Sequence, residues 1–289
     1  ALLQCPADHV IAVSIDTLVE GIHFFADVSP ETLGHKSLAV GLSDLAAMGA
    51  TPAWFTLALT LPEINTDWLQ GFSQGLAKLA QQHNIHLVGG DTTRGPLTIS
   101  IQVHGFVKAE NALKRSGAKL GDMIYVTGTL GDAGAALQHK LERWNGGKLS
   151  ASDIHTLQQR LEQPTPRVTI GKELIDIASS AIDISDGLVA DLGHILEKSQ
   201  VGARLDLSKL PLSTVMSKVE TKIAKQLALQ SGDDYELCFT VPSQHFAIME
   251  QDFKHCTRIG MITDDDGLYF LNDSDELIEL KGTGYDHFK

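Results

Sequence analysis

The sequence predicts an α/β protein built of two α/β domains, and three observations carry that expectation. Short β-branched runs alternate with segments whose apolar residues recur at helical spacing. Around residues 108–121 this regularity loosens into small and charged residues. Beyond that stretch the alternation of strand and helix starts afresh. The break predicts domains at 1–110 and 111–289.

Taken in order, residues 9–15 read as a strand, and residues 31–48 as an Ala- and Leu-rich helix stopped by Gly49. A second strand spans 54–61. Residues 66–83 place Trp68, Phe72, Leu76 and Leu79 at helical spacing behind Thr66 as cap candidate. A short strand at 85–88 enters a Gly-Gly turn. Leu97, Ile99, Ile101 and Val103 then alternate with Thr98, Ser100, Gln102 and His104, the pattern of a half-buried strand. In the second half a strand at 123–126 leads through the Gly-rich turn 127–134 into a helix, with further helices at 152–162 and 166–179. A strand at 181–184, a helix at 186–199 and a strand near 203–207 come next. Another helix precedes a strand at 235–241, and short strands finish the chain. There is no repeat at a solenoid period.

Of 289 residues 43% are hydrophobic, which supplies apolar material for two cores. No run of about 18 apolar residues occurs. No charged-then-apolar leader opens the chain, so a cytoplasmic protein without a membrane partner is expected. Cys5, Cys238 and Cys256 are scattered and read as reduced thiols rather than a disulfide or zinc framework. A formal charge of −13 speaks against nucleic acid, whose binding rests on Lys and Arg. It would repel a nucleotide too, unless bound cations intervene. The chain begins Ala1-Leu2-Leu3 without an initiator Met, which suggests a missing preceding segment.

Acids followed by small or hydroxyl residues recur at three expected strand ends: Asp16, Asp91, and the pair Asp183 and Asp186. Asp44 falls in the last turns of a helix, where the helix dipole is already negative and a neighbouring cation would help. Such acids can converge on one face of an α/β domain and hold Mg²⁺ together with substrate phosphates. Each taken singly reads equally as a turn former or helix cap, Asp186 above all. No P-loop is present. Gly128, Gly131 and Gly134 could present amides to an anion or simply form a tight turn. Arg94 and Arg115 could clamp phosphates or be solvated.

Six motifs occur in order: SIDTLVEGIHF (14–24), LSDLAAMGATP (42–52), GGDTTRGP (89–96), RSGAKLGD (115–122), DISDGL (183–188) and DDYELCF (233–239). With the terminal GYDHF (284–288), they resemble the thiamine-monophosphate kinases, in the superfamily of aminoimidazole ribonucleotide synthetase and selenophosphate synthetase. The resemblance implies a homodimer whose N-terminal domains share a β-barrel, with ATP as co-substrate, several Mg²⁺ ions and thiamine monophosphate as acceptor. It implies metal binding by Ser14, Ile15, Asp16, Asp44, Asp91, Asp183 and Asp186, with Asp16, Asp44 and Asp91 catalytic. Gly90, Asp91, Arg115 and Ser185 fall at nucleotide positions, and His23, Asp233 and Tyr285 at substrate positions. The family's Gly-Gly-Glu-Asp reads Ser231-Gly232-Asp233-Asp234 here. The alternatives are a selenophosphate synthetase-like enzyme and a non-catalytic nucleotide- or metal-binding module.

Overall fold

The computed structural model describes residues 1–271 and 277–278. It is a mixed α/β structure whose residues cluster into two compact units. The first comprises residues 1–112 and 162–173; the second comprises 113–161 and the residues from 174 onward.

The first unit opens with β1 (Val10–Val19), α1 (Pro30–Ala47), β2 (Thr51–Leu61), α2 (Thr66–Gln82), β3 (His86–Arg94) and β4 (Thr98–Val107). The strands form one sheet in the order β1-β4-β2-β3, antiparallel except for the β2–β3 pair. Ser29 caps α1 by accepting the Thr32 amide, and Pro30 sits in the first turn. The cap of α2 is Asn65, one residue before the Thr expected, because its carbonyl oxygen reaches the Trp68 amide at 3.0 Å. Helix α1 packs against β1 and β4, burying Leu38, Leu42 and Leu45 completely over Ile99, Ile101 and Val103. Each such side chain contributes roughly 1.5–3 kcal/mol of apolar burial.

Among the described residues of this unit no helix packs on the other face of the sheet. There β1 presents Ile11, Val13 and Ile15 at 45%, 47% and 64% exposure, an apolar stripe that water disfavours. Beside it run Thr98, Ser100, Gln102 and His104 of β4, the polar half of the alternation seen in the sequence.

The second unit contains β5 (Met123–Thr127), α3 (Asp132–Lys140) and α4 (Ala151–Glu162). Next in the chain is α5 (Val168–Glu173), which belongs to the first unit and packs on α1. The second unit resumes with β6 (Ser180–Asp183), α6 (Leu188–Ser199), β7 (Gly202–Asp206), α7 (Thr221–Gln230), β8 (Leu237–Val241), α8 (Phe246–Asp252), β9 (Cys256–Thr263), β10 (Leu268–Leu271) and β11 (Leu277–Ile278). Its seven-stranded sheet runs β11-β10-β7-β9-β5-β8-β6. Helix α6 buries Leu188, Leu192 and Ile195 in the core under this sheet. The helix expected over 166–179 is only the six residues of α5; a turn takes up residues 174–177. Neither sheet closes on itself among the described residues.

Candidate functional site

In the first unit Asp16 and Asp44 come together. Strand β1 runs past the expected end at residue 15, so Asp16 lies within the strand rather than at its tip. Its even-numbered neighbours face α1, and Asp16 thereby meets Asp44 in the last turns of that helix. The Ser14 hydroxyl donates to Asp44 Oδ2 at 2.6 Å. Burial pushes the Asp16 carboxyl up to about 7, and the charge of Asp44 and the hydrogen bond to it add to the rise. Asp16 Oδ2 is buried without a hydrogen-bond partner. Two crowded carboxylates, an orphaned oxygen and an adjoining hydroxyl form an all-oxygen donor set that suits a small hard cation such as Mg²⁺.

Asp91 lies elsewhere. Strand β3 continues through Gly89 and Gly90 as far as Arg94, so the expected Gly-Gly turn is a bulged stretch of strand. Asp91 pairs with Ala58, which pairs with Ser100, which pairs with Thr17; Asp16 instead lies level with Ile101 and Leu57. The register thus assigns Asp91 to the helix-free face, three strand spacings or about 14 Å from β1. Among the described residues no group of three or more His, Cys, Asp or Glu is arranged to hold a metal. Gly90 meets a close approach: a Cβ there would stand 1.9 Å from the Leu57 carbonyl oxygen.

The Ile15 side chain points to the open face, so only its backbone could serve a metal. His23 lies in the turn after β1, where its Nδ1 accepts the Val19 amide at 3.0 Å. When neutral, its ring proton therefore sits on Nε2. Arg94 ends β3 and donates from Nε to the Pro62 carbonyl.

In the second unit Asp183 ends β6 and is 5% exposed, while Ser185 and Asp186 lie in the loop leading to α6. Asp186 does not cap that helix. Gly187 takes the N-cap position without a side-chain bond, and Asp191 in the first turns of α6 reaches back, its Oδ2 accepting the amides of Ser185, Asp186 and Gly187 at 3.0, 3.0 and 3.1 Å. Burial pushes the Asp191 carboxyl up to about 7 against the pull of these amides, and the Asp186 charge adds to the rise. Sequence reasoning misses Asp191, which lies four residues past Gly187 and so outside the Ser/Thr-x-x-Glu pattern of a capping box. Arg115 lies in an exposed loop, and its carbonyl accepts the Ser199 hydroxyl.

The Gly-rich turn is also occupied from within. The Gly131 amide donates to both carboxylate oxygens of Asp234, at 3.1 and 2.9 Å, so it faces a protein carboxylate and not a free anion. Burial raises the Asp234 carboxyl well above the ordinary range, against the Gly131 amide and the Arg160 charge. Close by, Glu236 is fully buried, accepting the Thr127 hydroxyl at 2.5 Å and Arg160 Nη2 at 2.8 Å. Asp132 accepts hydroxyls from Thr129 and Ser213. This network ties the turn 127–134 to the loop carrying Asp233. Tyr285 and the terminal GYDHF lie outside the described residues.

Comparison with known proteins decides the family. Residues 1–107 match the model of the AIR synthase related protein N-terminal domain, and residues 119–271 match that of its C-terminal domain. The thiamine-monophosphate kinase of Escherichia coli K12 is 49% identical over all of this chain and 90% of its own length. The chain belongs to the thiamine-monophosphate kinase family. A Bacillus subtilis thiamine-monophosphate kinase is 33% identical over 96% of the chain and 88% of its own. The crystal structure of thiamine-monophosphate kinase from Stenotrophomonas maltophilia K279a superposes with a TM-score of 0.87 at 46% identity, covering 93% of this chain and 87% of that one. AaThiL complexed with AMPPCP and TMP gives 0.86 at 29% identity, covering 98% and 89%. No helix among the described residues is long and apolar enough to cross a membrane.

Proposed function

We propose that this chain is a kinase that transfers the γ-phosphoryl group of ATP to thiamine monophosphate, giving thiamine pyrophosphate and ADP. The observation that carries this is near-full-length kinship at 49% identity, joined to a relative solved with an ATP analogue and TMP together. The transfer is direct and in line. A phosphate oxygen of thiamine monophosphate forms the new bond to the γ-phosphorus, and the bond to the bridging oxygen breaks as ADP leaves with its electron pair. That nucleophile is already ionised at neutral pH, so no strong general base is required. Mg²⁺ would neutralise the repulsion between the two polyanions.

We assign Asp16, Asp44 and Asp91 to this charge neutralisation, with Ser14 and the Ile15 backbone as further ligands on β1. Asp183 and Asp186 are assigned to metal binding as well. Gly90, Arg115 and Ser185 would contact the nucleotide, and His23, Asp233 and Tyr285 the acceptor. Since Asp191 already occupies the amides of residues 185–187, Ser185 would act through its hydroxyl. ATP binding and dimerisation are assigned to the domain 1–110. The bare apolar stripe of β1 supports a homodimer, with the two open sheet faces enclosed in a shared barrel. Such a barrel would join the edge strands of two copies, β1 of one to β3 of the other, and so carry Asp91 of one copy into the neighbourhood of β1 of the other.

The test is an assay of thiamine pyrophosphate formed from ATP and thiamine monophosphate. Equimolar thiamine pyrophosphate and ADP are expected, and their absence refutes the activity. An Asp91→Asn variant that kept full turnover at saturating Mg²⁺ would sink the site assignment.

A further inference from the structure

Two residues with side chains hold left-handed backbone in the loop before β8: Asp233 at φ 66° and Tyr235 at φ 48°. Asp tolerates this region, but for a bulky Tyr it is uncommon and persists only where the surroundings enforce it. Here the end of β6 does the enforcing. The Asp233 amide donates to the Ser185 carbonyl at 2.9 Å, and the Tyr235 amide to the Ile184 carbonyl at 2.8 Å. The Ile184 amide in turn donates to the Glu236 carbonyl at 2.7 Å. Between them Gly232 lies so close that a Cβ would stand 2.2 Å from the Ser185 carbonyl oxygen.

This conformation has one side-chain consequence. The Tyr235 ring is held 8% exposed, and its hydroxyl donates to Asp233 Oδ1 at 2.9 Å. An Asp side chain rotates about two bonds, and a donor fixed in a buried ring removes that freedom. Asp233 itself stays partly exposed while this bond orients its carboxylate.

We infer that Tyr235 is a positioning residue for acceptor recognition: it fixes the Asp233 carboxylate toward the amino- and cation-bearing end of thiamine monophosphate. The inference rests on the kinase reading above through the role of Asp233. A carboxylate accepts hydrogen bonds and attracts cations, so it suits the aminopyrimidine or thiazolium and not the phosphate. Tyr235 acts through Asp233, and the nucleotide does not depend on it.

The experiment compares wild type, Tyr235→Phe, Asp233→Gly and the double variant in steady-state kinetics, with thiamine monophosphate affinity from calorimetry. Gly suits the backbone at 233, and Phe keeps the buried ring. Tyr235→Phe should raise KM for thiamine monophosphate by up to about tenfold, the cost of ordering the freed Asp233 side chain on binding, with KM for ATP unchanged and the unfolding temperature lowered by no more than one lost hydrogen bond accounts for. Asp233→Gly should raise it at least as much, and the double variant should be no worse than Asp233→Gly alone. An unchanged KM for thiamine monophosphate in Tyr235→Phe overturns the inference. So does a joint rise of both KM values, or a full further tenfold loss in the double variant. A wild-type chain that binds thiamine monophosphate without turnover refutes the kinase reading instead, and the dissociation constants then carry the same comparison.

Discussion

Arg160→Met tests the buried network in its most exposed link. Arg160 is 22% exposed and bonds Glu236 at 2.8 Å, while Glu236 is wholly buried and also accepts the Thr127 hydroxyl. Removing the guanidinium strands a buried carboxylate beside Asp132 and Asp234, both 2% exposed. Breaking a buried pair in this way costs about 3–5 kcal/mol, and the partial exposure of Arg160 argues for the lower end. At ~3 kcal/mol the unfolding temperature should fall by roughly 6–12 °C for a unit of this size. The assay is thermal unfolding by circular dichroism for wild type, Arg160→Met, Glu236→Gln and the double variant. Gln keeps an acceptor for Thr127 and carries no charge, so the double variant should recover more than half the loss. A single-variant loss below ~1 kcal/mol, or strict additivity of the two changes, would refute the reasoning.

Three further outcomes are expected. Mixing Asp16→Asn and Asp91→Asn chains, each inactive alone, should restore up to about a quarter of wild-type turnover, since half the dimers are mixed and one of their two sites is intact; no recovery after verified subunit exchange counts against a shared site. Val13→Glu should convert the proposed homodimer to monomer in sedimentation by placing a charge on the bare stripe, and an unaltered dimer would place the interface elsewhere. Burial lowers the pKa of His35 and of His83, so the stability tied to their neutral rings is full above their unfolded value and is lost as pH falls through 6.5 toward the folded values. Asp16 and Asp191, held up to about 7, take up protons in the folded state over the same range and oppose this, so the check is a difference: between pH 7.5 and 5.5 the urea midpoint of the wild type should fall relative to that of a His35→Gln, His83→Gln variant.

The parts of the fold visible in the sequence are those set by local chemistry. The alternation through β4 and the apolar spacing of α2 have structural counterparts because each depends on one element's own faces. The limits of β1 and β3 were not legible, since Asp16 and Gly89–Gly90 are poor strand residues held extended by pairing with β4 and β2. The pairing of Asp16 with Asp44 was readable as shared chemistry, whereas the edge position of Asp91 depends on strand order. Asp191, Asp234 and Glu236 were invisible as partners of amides and Arg160, because nothing local distinguishes a carboxylate that tertiary structure buries from one that faces water.

The attachment of α5 to the first unit has a consequence for synthesis. Gly171 lies so close to α1 that a Cβ would stand 2.0 Å from the Ala46 carbonyl oxygen, two residues from Asp44. The surface of the helix that carries Asp44 is therefore completed by residues made more than a hundred positions later. On the ribosome, the first sheet and α2 can assemble on α1 early, but the stretch of α1 around Ala46 stays uncovered until residue 173 has emerged. A truncation after residue 112 would keep all four strands and still leave that stretch without its cover.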